Sequence, residues 1–316
     1  MKRFILKKLI FFLFLVAAVA TVVFFLLRAI PGNPTVNILG ESASKQDIER
    51  FNRTLNLHLP VLKAYLGYMG DLAVFNLGNS LYNEQPVIRS ILIYFPNTVY
   101  LALFSIGFAL VVSFPLSVWS VIRKKAHPFM DALLTLGGSV VLSIPAFFLG
   151  PLLVIFFSIK LGWLPVSGSE GIRYIILPAL TLGLPLSVFE FRIFKEAFEG
   201  EYEKKYILLA KAKGLTEIEI FKNHVFKNAL LPVITTLGIQ LGLLLGGAII
   251  TEAVFSYQGI GNLLVHAIKG RDYPVIRGVV LFITILYLMV VFCIEIAYGY
   301  LNPAIRFADE KRKKTD

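Results

Sequence analysis

Uncharged apolar runs of about twenty residues recur along this chain, and nothing else in it constrains the fold so tightly. A helix rises about 1.5 Å per residue, so roughly 20 apolar residues cross the hydrocarbon core of a bilayer. Runs of that kind occupy residues 9–27, 96–122, 132–159, 173–189, 228–251 and 275–301. The length of 316 residues alone would permit two soluble domains, but 57% hydrophobic and 16% charged residues do not. The reading is an all-α integral membrane protein with six transmembrane helices. The fourth run is the weakest, because its charge-free part contains Pro178 and Pro185, and five spans is the alternative. Pro145, Pro151, Pro178 and Pro185 predict kinked or broken helices, whose freed backbone groups neighbours must satisfy.

The net charge of +11 sets orientation. With six spans both termini share one side, and that side collects twenty of the 31 Lys and Arg. They fall in short segments: Lys2 to Lys8, Arg123 to Lys125, Arg192 to Lys227, and Arg306 to Lys314. The positive-inside rule puts these segments in the cytoplasm. No basic patch is interleaved with aromatics, so nucleic acid is not expected. Lys2-Arg3 and Lys7-Lys8 before an apolar stretch imitate a signal peptide, with Ala18-Val19-Ala20 as a cleavage site. The sequence beyond, Thr21 to Leu27, stays apolar, which predicts an uncleaved first span. The single cysteine, Cys293, reads as a small apolar packing residue.

The segment 204–232 is charged but patterned. Tyr206 to Lys213 uses mostly good helix formers, and Gly214 stands where a helix C-cap belongs. Thr216 with Glu219 reads as a capping box opening a second helix, with Ile218, Phe221 and Val225 at helical spacing. Two short helices joined by a tight glycine turn predict a rigid knob. Between the first two spans, Ser44 with Asp47 resembles a helix start followed by Ile48, Phe51 and Leu55, and a second helix is expected after Pro60.

Ala210-x-Ala212-Lys213-Gly214-Leu215, then His224 and Asn228-Ala229-Leu230-Leu231-Pro232, resembles the "EAA" loop of ABC-importer membrane subunits. The version here is similar to that of the B-type dipeptide/oligopeptide permeases. Leu208 and Leu209 stand where Glu and Ala are expected. The resemblance continues through Pro31-Gly32-Asn33-Pro34, the 55–60 stretch, Leu77-Gly78-Asn79-Ser80, Pro86-Val87, Asn97-Thr98, the stretch from Glu252 to Gly261, and Asp272-Tyr273-Pro274. Asn302-Pro303-Ala304-Ile305-Arg306 closes it. Departures occur at Asn56, Asn76 and Gln258, where glycine or proline is usual or a motif is weakened.

The resemblance implies a type I importer permease fold with a cytoplasmic coupling loop at 192–228. It implies four segments: a first helix at 1–30, an extracytoplasmic helical segment at 31–95, a five-helix core at 96–301, and a cytoplasmic tail at 302–316. Leu209, Ala210, Ala212, Lys213, Gly214 and Leu215 would couple to an ATPase. Asn79, Ser80 and Tyr257 would face an extracytoplasmic substrate-binding protein. A second related permease and two ABC ATPase subunits complete the expected assembly in a bacterial or archaeal inner membrane. Di- or oligopeptides are the expected cargo, with nickel, glutathione or oligosaccharide as alternatives that share these motifs.

The residues themselves carry no catalytic pattern. There is no Gly-x-x-x-x-Gly-Lys-Ser/Thr loop, so no cofactor is expected on this chain, and the resemblance implies that ATP with magnesium is bound by partner ATPase subunits. His58, His127, His224 and His266 lack metal-ligand spacing, and no nucleophile elbow occurs, which argues against a membrane-anchored enzyme. Of ionisable residues near spans, Glu252 and Glu295 come closest, and both read as structural. That scarcity argues against a secondary carrier. Gln240 and Thr235-Thr236 are candidates for a polar translocation path, together with Glu252, while the glycines around them suit close helix packing.

Overall fold

In the computed structural model, residues 2–29, 59–123 and 127–301 are described. The expected helix at 44–55, the Pro31-Gly32-Asn33-Pro34 stretch and the closing motif at 302–306 lie outside them.

Every extended element among the described residues is helical. In chain order these are α1 (Lys2–Ala29), α2 (Val61–Ala73), α3 (Val87–Arg123), α4 (Pro128–Ser143) and α5 (Ala146–Leu153), the last continuing as π-helical turns over Val154–Lys160. Then follow α6 (Ile172–Tyr202), α7 (Lys205–Ala212) and α8 (Glu217–Ile220), which continues as a π-helical turn over Phe221–Val225. The chain goes on with α9 (Phe226–Gly247), α10 (Ile249–Val254), α11 (Ile260–Gly270) and α12 (Tyr273–Leu301). Among the described residues four helices are long and apolar enough to cross a membrane, and counting two bent pairs as one span each gives six.

The third expected span is broken, as Pro145 leads one to expect: within residues 132–159, α4 and α5 meet at a bend of 98°. Pro145 is the cause, because its ring disfavours the helical conformation at the residue before it. Ile144 accordingly sits at φ −87, ψ 116, and α5 restarts behind Pro145. Pro178 and Pro185 behave differently and lie inside an unbroken α6. The fourth run, the weakest in sequence, is thus part of a 31-residue helix, roughly 46 Å long at 1.5 Å per residue. Residues 192–202, expected within a loop, belong to that helix. The fifth run bends by 47° about Pro232.

The chain forms two compact units, and their boundary at Thr98 falls inside α3. Residues 1–98 and 258–316 make the first. There α1 lies along α12, and α2 packs on α1 through rings: Phe24 stacks on Tyr68 at 5.5 Å, and Phe25 on Tyr65 at 5.7 Å. The Tyr65 hydroxyl meets that of Thr21 at 2.9 Å. Leu62 and Leu66 of α2 are exposed. Cys293 lies on the exposed face of α12 instead of packing inside.

The second unit runs from Val99 to Tyr257, with α6 packed against α4, α5 and α9. Lys195 of α6 pairs with Asp131 of α4 at 2.6 Å, and Ser120 of α3 donates to the same carboxylate. One carboxylate therefore fastens three helices at their ends.

Candidate functional site

The knob at 204–232 is built by local rules. Helix α7 ends in a Schellman arrangement: the Leu215 N–H donates to the Ala210 carbonyl at 3.4 Å, and the Gly214 N–H to the Lys211 carbonyl at 2.9 Å. Gly214 takes φ +80, the left-handed conformation such an ending requires and one that glycine adopts without steric cost. Two residues later Thr216 opens α8 with a complete capping box. Its hydroxyl accepts from the Glu219 N–H at 3.3 Å, and its own N–H donates to Glu219 Oε2 at 2.8 Å.

The base of the knob is tied down as well. Glu201, the penultimate residue of α6, accepts from the Lys204 ammonium and from the Tyr206 hydroxyl. Asn228 of α9 donates to the same Tyr206 oxygen at 3.0 Å. Burial, then the bond to Glu201, raises the Tyr206 phenol above its ordinary pKa. Beneath these bonds Ile207, Ile220 and Val225 are fully buried against Phe194 and Phe198 of α6, and Phe198 meets Phe221 edge-on at 5.0 Å.

Burial divides the sequence-predicted coupling residues. Ala210 is 5% exposed and packs in the core beneath the knob. Ala212, Lys213 and Gly214 are exposed, and Leu215 is half-buried. Leu208 and Leu209 are 66% and 59% exposed, and they are the large apolar groups that α7 turns outward. Ile218, at helical spacing with Phe221 and Val225, is 61% exposed, whereas those two and Ile220 are buried. The π-helical turn explains this. Its i to i+5 bonding puts Ile220 and Val225 on one side, whereas a 3.6-residue period would have put Ile218 there.

Of the expected path residues, Thr235 and Gln240 lie half-buried on α9, and Glu252 is fully buried in α10. A fourth polar residue escapes the sequence reading. Glu190 of α6 is 0% exposed, its Oε2 lies 3.4 Å from the Thr236 hydroxyl, and no hydrogen bond reaches Oε1 among the described residues. The Thr236 hydroxyl also faces the Val233 carbonyl at 2.9 Å, so it serves Glu190 weakly. A span ending at residue 189 puts Glu190 at an interface. The apolar neighbours Phe189, Phe191, Ile193 and Phe194 are the available signal that the helix continues.

The three residues expected to face a binding protein separate too. Asn79 is exposed, whereas Ser80 and Tyr257 are buried. The Ser80 hydroxyl donates to Asp272 Oδ2 at 2.6 Å, and the same carboxylate accepts from the Leu81 and Val275 N–H groups. Tyr82 donates to the Gly270 carbonyl at 2.6 Å. Thr98 Oγ1 accepts from the Ile260 N–H at 2.8 Å, and Asn97 Nδ2 donates to the Gln258 carbonyl at 2.8 Å. Motif segments far apart in sequence thus form one latch. Tyr257 packs with Phe255 and Leu101 in the second unit; burial, then the nearby Glu252, pushes its phenol up to about 12. Among the described residues no three His, Cys, Asp or Glu side chains gather as a metal site.

Long apolar helices, with two further spans broken, and a capped knob between helices describe a multi-pass membrane protein. Residues 113–307 match the family described as the binding-protein-dependent transport system inner membrane component, and residues 1–102 match the N-terminal part of such membrane components. The chain belongs to this family, the permeases of binding-protein-dependent ABC importers. It is 33% identical over 308 residues to the glutathione transport system permease protein GsiC of Escherichia coli O6:H1, covering 97% of this chain and 100% of that protein. The GsiC proteins of Escherichia coli K12 and Pectobacterium atrosepticum are each 32% identical over the same coverage. In fold it is similar to a chain of the MetNI methionine ABC transporter in inward-facing form, with TM-score 0.59 and 18% identity. That likeness covers 68% of this chain and 97% of the other.

Proposed function

We propose that this permease passes short peptides of the glutathione class across the inner membrane, driven by ATPases that grip the 204–232 knob. Two ABC ATPase subunits hold the ATP and magnesium, a second related permease completes the path, and an extracytoplasmic binding protein delivers cargo. Both termini and the knob lie in the cytoplasm. The observation that carries this reading is the knob's construction. It is capped at both helices and rooted in α6, yet it turns Leu208 and Leu209 outward, away from the core that supports it. Exposed leucines on a rigid support suit docking, because little conformational entropy is lost when they bind. Movement of docked ATPases then reaches α6 through Glu201, Phe198 and Ile207 as a rigid-body displacement. Thr235 and Gln240 of α9 are the candidate path-lining groups, and Asn79 is the candidate contact for the binding protein.

End-to-end likeness to glutathione permeases ranks glutathione ahead of other di- and oligopeptides, and those ahead of nickel or oligosaccharide. The test is reconstitution with the second permease, the ATPases and the binding protein in proteoliposomes. Uptake of labelled glutathione is expected only with ATP on the knob side, and none by this chain alone under a proton gradient. Leu209→Glu is expected to insert normally and lose ATPase stimulation. ATP-independent uptake by the single chain would refute the importer reading, and uptake of only a non-peptide cargo would refute the cargo. Labelling of a Lys213→Cys, Cys293→Ala variant from outside by an impermeant reagent would overturn the orientation.

A further inference from the structure

An apolar groove of about 640 Å³ opens between the end of α3 and the segment around α8, and none of the residues named above for coupling or for the path lines it. Phe114, Val118, Trp119 and Ile122 form one wall, and Ile218, Phe221 and Phe226 form the other. Arg123 and Lys222 stand among the lining residues. Both are exposed, and among the described residues neither has an ion-pair or hydrogen-bond partner. The acidic residues nearest them in sequence are already engaged: Asp131 with Lys195 at 2.6 Å, Glu217 with Lys211 at 2.9 Å, and Glu219 in its capping box. The groove therefore combines apolar walls with two cations that no described residue pairs.

We propose that this groove is a binding site for an anionic phospholipid, with an acyl chain between the aromatic walls and the phosphate between Arg123 and Lys222. Depth chooses lipid over a soluble protein. The α3 wall extends nine residues back from Arg123 to Phe114, roughly 13 Å along a membrane-spanning helix at 1.5 Å per residue. An acyl chain already lies at that depth, while a partner docking from water meets the polar end first. Chemistry agrees: tryptophan favours the interfacial level, and basic pockets at the ends of spans take anionic headgroups. The Trp119 ring, stacked on His127 with centroids 6.0 Å apart, marks that level. The π-helical turn shapes the opposite wall, since it turns Ile218 outward into the groove and brings Lys222 to the lining. The proposal rests on the membrane-subunit assignment and is independent of cargo, partners and coupling.

The test uses the position of Trp119. The chain has two tryptophans, so Trp163→Phe leaves Trp119 as the sole reporter, and Trp163 is itself 59% exposed. The full chain is placed in phosphatidylcholine vesicles containing phosphatidylglycerol, with bromine on the acyl chains of one lipid or the other. Each basic residue near the surface contributes about 1 kcal/mol to holding an anionic lipid, so two favour brominated phosphatidylglycerol by about tenfold or more. In the Arg123→Gln, Lys222→Gln double variant that preference is expected to fall to near parity, with an unchanged circular dichroism spectrum. High salt is expected to weaken the preference of the parent, which needs no further substitution. Equal quenching by both lipids in the parent makes the groove ordinary lipid boundary and overturns the proposal. Absence of quenching by either lipid means that protein covers the groove, and overturns it as well. A preference that survives the double variant overturns the assignment of the cations.

Discussion

The knob and the latch both carry family motifs, but they hold themselves together at different distances along the chain. In the knob the defining bonds join residues three to six positions apart: Gly214 to Lys211, Leu215 to Ala210, Thr216 to Glu219, and Lys211 to Glu217. In the latch they join Ser80 to Asp272 across 192 positions, Tyr82 to Gly270 across 188, and Thr98 to Ile260 across 162. A part made from local bonds can keep its shape while something pulls on it from outside. A part made from distant bonds ties together segments that would otherwise separate, and one deletion leaves several groups unpaired at once. The loss of a motif residue should therefore be local in the knob and global in the latch.

The sharpest way to break that contrast is Asp272→Ala. Asp272 is 4% exposed and accepts from the Ser80 hydroxyl and from the Leu81 and Val275 N–H groups. Leaving several buried donors without an acceptor costs about 1–3 kcal/mol each when water cannot replace it, so a loss of about 3 kcal/mol is expected. A thermal shift assay in detergent should show a larger drop than any single substitution in the knob produces. Ser80→Ala removes the donor to Asp272 and the acceptor for the Tyr82 N–H, and is expected to cost about 1–2 kcal/mol. The double variant should cost less than the sum of the two, because the residues share one bond.

Gly214→Val comes next. A β-branched residue at φ +80 is strained by about 1–2 kcal/mol, although a Cβ there meets nothing within 4 Å. The backbone conformation is therefore the whole obstacle. Membrane insertion and most of the thermal stability should survive, while ATPase stimulation by the reconstituted complex should be lost. A melting temperature lowered as far as by Asp272→Ala would erase the distinction between local knob and global latch.

The same contrast explains what is legible in the sequence. Gly214 as a left-handed cap and Thr216 with Glu219 as a capping box are readable, because each rests on residues within one turn of the other. That Ser80 and Asp272 share a bond is not readable, since no local pattern reports a partner 192 positions away. Both stretches stand out only through family resemblance, which suggests an outward role that burial removes from Ser80 and Tyr257. The apolar runs reveal the spans but not their breaks. Pro145 ends a helix, while Pro178 and Pro185 lie inside one, and no local pattern in the sequence separates the three. Ile218 and Ile220 exchange faces because a π-helical turn, invisible to a 3.6-residue period, re-phases the helix. Glu190 is hidden in the sequence because a charge beside an apolar run reads as the end of a span.

Within the knob the effects are smaller and separate the caps from the surface. Thr216→Ala removes the acceptor for the Glu219 N–H and is expected to cost about 1 kcal/mol, read as faster amide exchange at Glu219 and Ile220.

Lys211→Ala should do least of all, although it deletes the most visible interaction between the two knob helices. Lys211 and Glu217 lie 2.9 Å apart, but their side chains are 44% and 50% exposed, so water and salt screen the pair. Exposed pairs of this kind contribute about 0.2–1 kcal/mol. The Lys211 ammonium also sits 5.6 Å from the Tyr202 ring centroid, which adds a comparably small attraction. Alanine meanwhile has a slightly better helix propensity than lysine, which offsets part of the loss. Thermal stability and exchange rates at Gly214 and Leu215 should thus stay within about 0.5 kcal/mol of the parent. Because the Schellman bonds of Gly214 and Leu215 use only backbone atoms, nothing in them depends on the lysine side chain. If Lys211→Ala loosened those two amides as much as Gly214→Val does, the ion pair and not the backbone caps would be holding the helices together, and the knob would be no more local in design than the latch.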